Sequence, residues 1–234
     1  MNDELDAGAE ATATIGRPRD RDVDRRALVT AVEVYGELGW SGFTFGKVAE
    51  RARVGKSSLY RRWPTKGDLL LAALNEVDAF YAEAHSDVAE LPFLERVHRI
   101  VRHRLRSYFA PAGIAVIRLN LEHLTDPAEM GQIWVQSVGR AVRRTRALLN
   151  EGIVRGDLIA ATSVVQLGDA LEGGMTMHAL ATPTSLRPLA VERLDEYATE
   201  FVERTLGPWL TPRATGGRVW SPEAGALVEP PTSG

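Results

Sequence analysis

The sequence predicts an all-α protein, a small N-terminal helix-turn-helix domain followed by a larger helical domain. Three observations predict it. Apolar residues recur at intervals of three and four along most of the chain, the period of a helix with one buried face. Gly and Pro punctuate these runs. Residues 44–68, TFGKVAERARVGKSSLYRRWPTKGD, hold two short basic helical patterns joined by a tight Val54-Gly55 connection.

The first helix is marked by Ala27, Leu28, Ala31, Val32, Tyr35 and Leu38 and is stopped by Gly39. Thr44 is placed as the N-cap of a second, with Phe45, Val48, Ala49 and Ala52 on one side; only about two turns fit before Gly55. A third begins at Lys56 and carries Leu59 and Trp63 inward, which leaves Lys56, Ser57, Ser58, Tyr60, Arg61 and Arg62 for the outer face. Pro64 ends it. Thr65 and Asp68 have the spacing of a capping box with Asp in place of Glu, so another helix starts at about Lys66. Its free N–H groups and Lys66 together favour a phosphate.

Two short helices across a tight turn form a motif whose second helix enters the major groove of DNA and presents its leading residues to base edges. Lys56, Ser57 and Ser58 occupy that end. Lys56 can donate to guanine O6 or N7, and the serines discriminate less sharply. Tyr60, Arg61 and Arg62 lie farther along and suit phosphates that fix register. Plainer roles stay open: Tyr60 and Trp63 as core aromatics, the serines as satisfiers of the helix start, the arginines as a solvated pair. Residues 17–68 carry 12 basic and 7 acidic side chains, while the whole chain has 28 Lys and Arg against 31 Asp and Glu. A localised basic surface on an acidic chain fits phosphate neutralisation. Ahead of it, Gly16 and Pro18 keep an arm extended. There Arg17 and Arg19 either enter the minor groove or, with Asp20, Asp22 and Asp24 beside them, belong to an ordinary solvated segment.

At this point residues 27–74 resemble the DNA-binding domain of the TetR family of bacterial transcriptional regulators, through GELGWSGFTFGKVAERARVGKSSLYRRWPTKGDLLLAAL. By that similarity Thr44, Lys56, Ser57, Tyr60 and Lys66 are the matched DNA-facing positions. Gly55 stands where a serine or threonine often caps the recognition helix, Ser57 where glycine is common, and Trp63 where Phe is usual. The resemblance implies a homodimer on a palindromic operator, usually a repressor, released when a small molecule enters a larger ligand-binding and dimerisation domain. The domains expected are a flexible arm at 1–22, the helix-turn-helix at 23–68, the helical domain at 69–210 and an irregular tail at 211–234.

Past the basic segment, Leu69, Leu70, Ala73, Leu74, Val77, Phe80 and Tyr81 predict a long connecting helix over 66–81. Val97, Val101, Leu105 and Tyr108 mark the next, closed by Pro111, and Ile114, Ile117, Leu121 and Leu124 the one after. Asp126-Pro127 breaks the run. Met130, Ile133, Trp134, Val138, Ala141, Val142, Leu148 and Leu149 then line a single helix of roughly six turns, ended by Gly152 and Gly156. Two more follow, at roughly 161–181 and 189–209, and in the resembled family this last pair forms the dimer interface. Two half-sites about 34–36 Å apart, or a multiple, are then gripped together. Phe109, Ile117, Leu121, Met130, Trp134, Met175 and His178 are candidate ligand-lining residues, with a packed core as the alternative for each. Their sparse polarity suits an apolar or aromatic effector. Trp220 is placed to dock the tail locally.

At 234 residues the chain is long enough for a substantial core divided between a small and a large domain. It has no cysteine, which removes disulfide and thiolate chemistry and sits comfortably with a cytoplasmic location. It has no apolar run of membrane-spanning length and no signal-peptide pattern. No cofactor and no metal are expected, since the five histidines are scattered. An enzyme is the main rival class, but no Gly-rich phosphate loop, His-x-x-x-His pair or nucleophile elbow is present. A helical interaction protein with a basic patch is the other rival.

Overall fold

The computed structural model of the protein describes residues 21–83 and 90–230. Their elements in chain order are α1 (Arg21–Gly42), α2 (Phe45–Ala52), α3 (Lys56–Arg62), α4 (Lys66–Glu83), α5 (Phe93–Phe109), α6 (Pro111–Thr125), α7 (Pro127–Gln136), α8 (Val138–Arg155), α9 (Val164–Ala181), α10 (Arg187–Glu192), α11 (Leu194–Leu206) and α12 (Pro212–Thr215). An antiparallel hairpin of β1 (Val219–Ser221) and β2 (Ala226–Val228) follows, with Trp220 opposite Leu227. Among the described residues the fold is all-α with this one small hairpin. No helix among the described residues is long and apolar enough to cross a membrane.

Helical bounds follow local chemistry. The run of α1 is interrupted at Gly39, whose φ of 66° is the left-handed region that only glycine enters freely. Thr44 caps α2 by accepting from the Lys47 N–H at 3.3 Å. Thr65 and Asp68 form the capping box in full: the Asp68 carboxylate accepts from the Thr65 N–H at 3.0 Å, and the Thr65 hydroxyl accepts from the Asp68 N–H at 3.1 Å. α4 runs unbroken past residue 68, the continuous connecting helix expected over 66–81.

Two hydrophobic cores organise the chain. The first gathers Ala27, Leu28, Ala31, Val32 and Tyr35 of α1, Val48 and Ala49 of α2, Leu59 of α3 and Leu69, Leu70 and Ala73 of α4. It also takes in Ala112, Ala115 and Leu119 of α6 and Met130 and Ile133 of α7. The second gathers α5, α8, α9 and α11 around Val97, Leu105, Leu149, Leu171, Met175 and Val202, with Leu227 of the hairpin. The expectations for the side chains of Val77, Phe80 and Tyr81 lie outside the described residues.

Four sequence expectations are corrected. The inward face of α6 is Ala112, Gly113, Ala115 and Leu119, whereas Ile114, Leu121 and Leu124 are exposed. α6 lies so close to α1 that a Cβ on Gly36 would come within 3.4 Å of the Ala115 nitrogen, and only small residues fit between two such backbones. The single helix expected over residues 130–149 is two, broken at Ser137 with φ −119° and ψ −89°. There the Ser137 hydroxyl donates to the Ile133 carbonyl at 2.6 Å and Arg143 donates to the Val135 carbonyl at 3.1 Å, so the broken turn has other partners. The helix expected at 189–209 is likewise divided at Arg193 into α10 and α11. Finally, the tail is not irregular from 211 onward: the Thr211 N–H donates to the Asp157 carbonyl at 3.0 Å, and Arg213 reaches the Asp157 carboxylate at 3.3 Å. Trp220 does dock, against Gly207, where any side chain would collide with its ring.

Candidate nucleic-acid interface

The turn between α2 and α3 is set by Arg53, the one non-glycine residue among those described with positive φ, at 54°. Its N–H donates to the Glu50 carbonyl at 3.2 Å and the Val54 N–H donates to the Ala49 carbonyl at 3.0 Å, a Schellman ending with arginine in the left-handed position. Gly55, the N-cap of α3, has the ordinary extended values φ −65° and ψ 129° and offers no side-chain cap. The sequence reading placed the tightness of the turn at Val54-Gly55, one residue late, because an arginine carries no turn signal.

Leu59 anchors α3 with no exposed surface, and Trp63 packs partly buried against the first core. This rotation leaves Lys56, Ser57, Tyr60 and Arg61 on the solvent side. Tyr60 is 49% exposed and rests on Phe45, ring centroids 4.2 Å apart, with the Lys56 ammonium 5.8 Å from its ring. Tyr60 is therefore held by α2 while its outer half stays open. Ser58 is half-buried, its hydroxyl 3.5 Å from the Arg61 guanidinium. Arg62 points the other way: it forms an ion pair with Asp24 of α1 and donates to the Ser58 carbonyl at 3.1 Å. Its expected place on the outer face is thereby corrected; the guanidinium fastens α3 to α1. Residues 45–66 carry seven basic side chains and one acidic, so the outer surface stays strongly positive.

Thr44 is exposed at the start of α2, where its hydroxyl is already engaged as the cap. Lys66 opens α4 and is half-buried: its ammonium donates to the Trp40 carbonyl at 3.0 Å and lies 3.7 Å from the Trp40 ring centroid. Trp40 itself is held by α6 and α7. Its N–H donates to a Glu122 oxygen at 3.0 Å and its indole N–H to Glu129 at 3.1 Å. The other Glu122 oxygen accepts from the Tyr35 hydroxyl at 2.6 Å, and burial together with that carboxylate pushes the hydroxyl far above the ordinary tyrosine range. Sequence reasoning missed this group; Glu122 and Glu129 lie over 80 positions from Tyr35 and Trp40. Arg17 and Arg19 lie outside the described residues.

The expected ligand-lining residues are not brought to one place. Met130 is buried in the first core and Met175 in the second, while Leu121 is 60% exposed. Trp134 is committed between α6 and α7, stacked on His123 at 4.8 Å and donating to Asn120 at 2.8 Å. Ile117 and Phe109 pack partly buried against the second core. Phe109 meets His178 edge-on at 5.6 Å, and His178 stacks on Tyr197 at 3.7 Å. A cavity of about 530 Å³ opens beside that stack, lined by Leu186, Leu189, Arg193, Glu196 and Glu200 among others. Burial holds the His178 imidazole below its usual range and lifts the Tyr197 hydroxyl.

Comparison with known proteins agrees with this geometry. Residues 27–73 match the family of bacterial regulatory proteins, tetR family. The HTH-type transcriptional regulator AqdR of Rhodococcus erythropolis is 28% identical over 202 residues, 82% of this chain and 90% of that protein. YdeS of Bacillus subtilis, also an HTH-type transcriptional regulator, is 36% identical over 56 residues, 24% of this chain and 28% of its own length. In fold, the chain is similar to the transcriptional regulator FadR of Bacillus subtilis solved with stearoyl-CoA, with a TM-score of 0.60 at 19% identity over 77% of this chain and 96% of that one. The basic, Leu59-anchored helix thus lies in a segment, residues 27–73, that is identified as the DNA-binding domain of the tetR family of bacterial regulatory proteins, on a helical body with the fold of such regulators.

Proposed function

We propose that the protein is a repressor that binds a palindromic operator as a homodimer, reads bases with the leading end of α3 and is released by a small molecule. The observation that carries the reading is the rotation of α3. With Leu59 buried, Lys56, Ser57 and Tyr60 form one exposed edge, and the Phe45 contact gives Tyr60 a fixed platform. In this reading Lys56 and Ser57 contact bases, with Ser58 at the edge, Tyr60 and Arg61 contact phosphates, and Thr44 and Lys66 flank them at two helix starts. Arg17 and Arg19 are the minor-groove candidates.

The dimer is assigned to the helices near 161–181 and 189–209. Val165, Met177 and Leu180 of α9 and Leu189 and Val191 of α10 are large apolar side chains between 47% and 62% exposed, which supports α9 and α10 as its centre. The exposed side of α11 carries Asp195, Glu196 and Glu200 and belongs at the rim. The division of labour is a reading head at 23–68 and a helical effector and dimerisation part at 69–210. The effector is apolar or aromatic, and its recognition by the helical part is supported by the fold shared with a regulator solved with stearoyl-CoA. The protein works in the cytoplasm and catalyses no reaction.

Selection from a random duplex library with the purified full-length protein tests this. An enriched palindrome bound by a dimer, with binding lost in Lys56→Ala and Tyr60→Ala, is the expected result. No enrichment from a folded dimer would overturn it. Enrichment of a site with no symmetry would remove the dimeric reading alone.

A further inference from the structure

We propose that Glu122 of α6, outside the helix-turn-helix, is a positioning residue for DNA binding that acts on Lys66 through Trp40. The inference rests on the reading of Lys66 as a phosphate contact. Lysine is a flexible point charge and loses rotamer entropy when it engages a ligand. Here that loss is met in advance: the Trp40 ring and carbonyl fix the ammonium beside the first turn of α4. The Thr65 hydroxyl takes up the Asp68 N–H, which leaves the N–H groups of Lys66 and Gly67 at the open end of the helix. An ammonium has three donors, of which the Trp40 carbonyl uses one. The fixed Lys66 ammonium and the N–H groups at the same helix start are the donors this proposal assigns to one phosphate.

Trp40 follows directly after Gly39, the break in α1, so the helix ladder does not hold it there. Glu122 does, through the Trp40 N–H at 3.0 Å, and Glu129 holds the other end of the residue through its indole N–H at 3.1 Å. Glu122 is fixed in turn by Tyr35, and Arg118 one turn earlier donates to the Gly36 carbonyl at 3.0 Å. The last turns of α6 therefore grip the end of α1, and a shift of α6 against α1 moves the shelf on which Lys66 sits. The surrounding recess is lined by Trp40, Lys66, Asp68, Glu129, Ile133 and Gln136 among others, so α7 forms its other wall.

The test is a double-mutant cycle on the full-length dimer and its selected operator, read as the dependence of binding on salt. Lys66→Ala is expected to reduce the slope of log K against log salt by about 1.8, about 0.9 for one phosphate in each half-site. Glu122→Ala is expected to reproduce most of that reduction with Lys66 intact, and Glu122→Ala with Lys66→Ala to bind as Lys66→Ala alone. Glu122→Gln, which keeps an acceptor for the Trp40 N–H, is expected to restore the slope. Glu129→Ala, at an exposed position, is the second variant should Glu122→Ala not fold, with a smaller change of the same sign. Additive losses, or a weaker Glu122→Ala complex with an unchanged slope, would overturn the positioning role while leaving Lys66 a phosphate contact. An unchanged slope in Lys66→Ala would overturn both.

Discussion

The two cores differ in what they join. The second is assembled from helices of the large part and sealed by the hairpin, whereas the first mixes the helix-turn-helix with α6 and α7. Val116 packs against both. The packing of the reading head therefore extends to α6 and α7, although the bases are read by residues within 23–68 in the proposed division. In the proposed reading, a ligand that alters the second core has a route to the first through Val116 of α6, and it acts only by binding the two arrangements with different affinity.

Breaking the two cores separately gives the largest expected contrast. Leu119→Ala and Leu171→Ala each empty a fully buried leucine site and are expected to cost about 2–5 kcal/mol in unfolding free energy. Measured below the unfolding transition, Leu119→Ala should also weaken operator binding, and Leu171→Ala should not; equal effects on binding would erase the distinction between the cores. Next in size is the exposed edge of α3. Lys56→Ala is expected to relax preference at one base pair of each half-site by about 1–3 kcal/mol, seen as a flattened position in a second library selection. Ser57→Gly should shift preference at a neighbouring position, and an unaltered selection profile would remove Ser57 from base reading. Thr44→Ala removes the α2 cap and is expected to lower stability by about 1 kcal/mol, visible as a lower thermal midpoint.

The smallest expected effect belongs to the second core. Burial, then Arg102 and Arg218, holds the His98 imidazole below its ordinary range, and Glu95 opposes this more weakly. The folded state therefore binds fewer protons there than the unfolded chain. The stabilisation from neutral His98 is complete above about pH 6.5, the ordinary histidine value, and is lost as pH falls toward the lowered folded value. His178, lowered by burial alone, adds to the same trend. Thermal midpoints should fall on acidification below about pH 6.5, and His98→Asn should flatten that fall without changing operator preference.

Much of the reading head was legible because its signals are local. A cap at Thr44, a capping box at Thr65 and Asp68, and the spacing of Leu59 from Tyr60 are all decided within four residues. Arg62 was misplaced because its partner, Asp24, is set by the tertiary packing of α3 on α1. The face of α6 was misread for a related reason: periodicity marks where large apolar residues fall, and close approach to α1 selected the small ones instead. The break at Ser137 has no proline to announce it, and the candidate ligand set mixed two cores that look alike in sequence. Glu122 and Glu129 were invisible because ordinary surface glutamates have the same local pattern.

The docked hairpin has a consequence for the order in which the protein matures on the ribosome. Every buried member of the first core has been synthesised once Ile133 has emerged, but the second is not closed until Leu227 arrives. At about 5–20 residues per second, that is a delay of some seconds in which the reading head has all its partners and the large part does not. A nascent chain stalled in that interval would hold a basic head with all its partners on an unfinished body, so the second core is the later of the two to close.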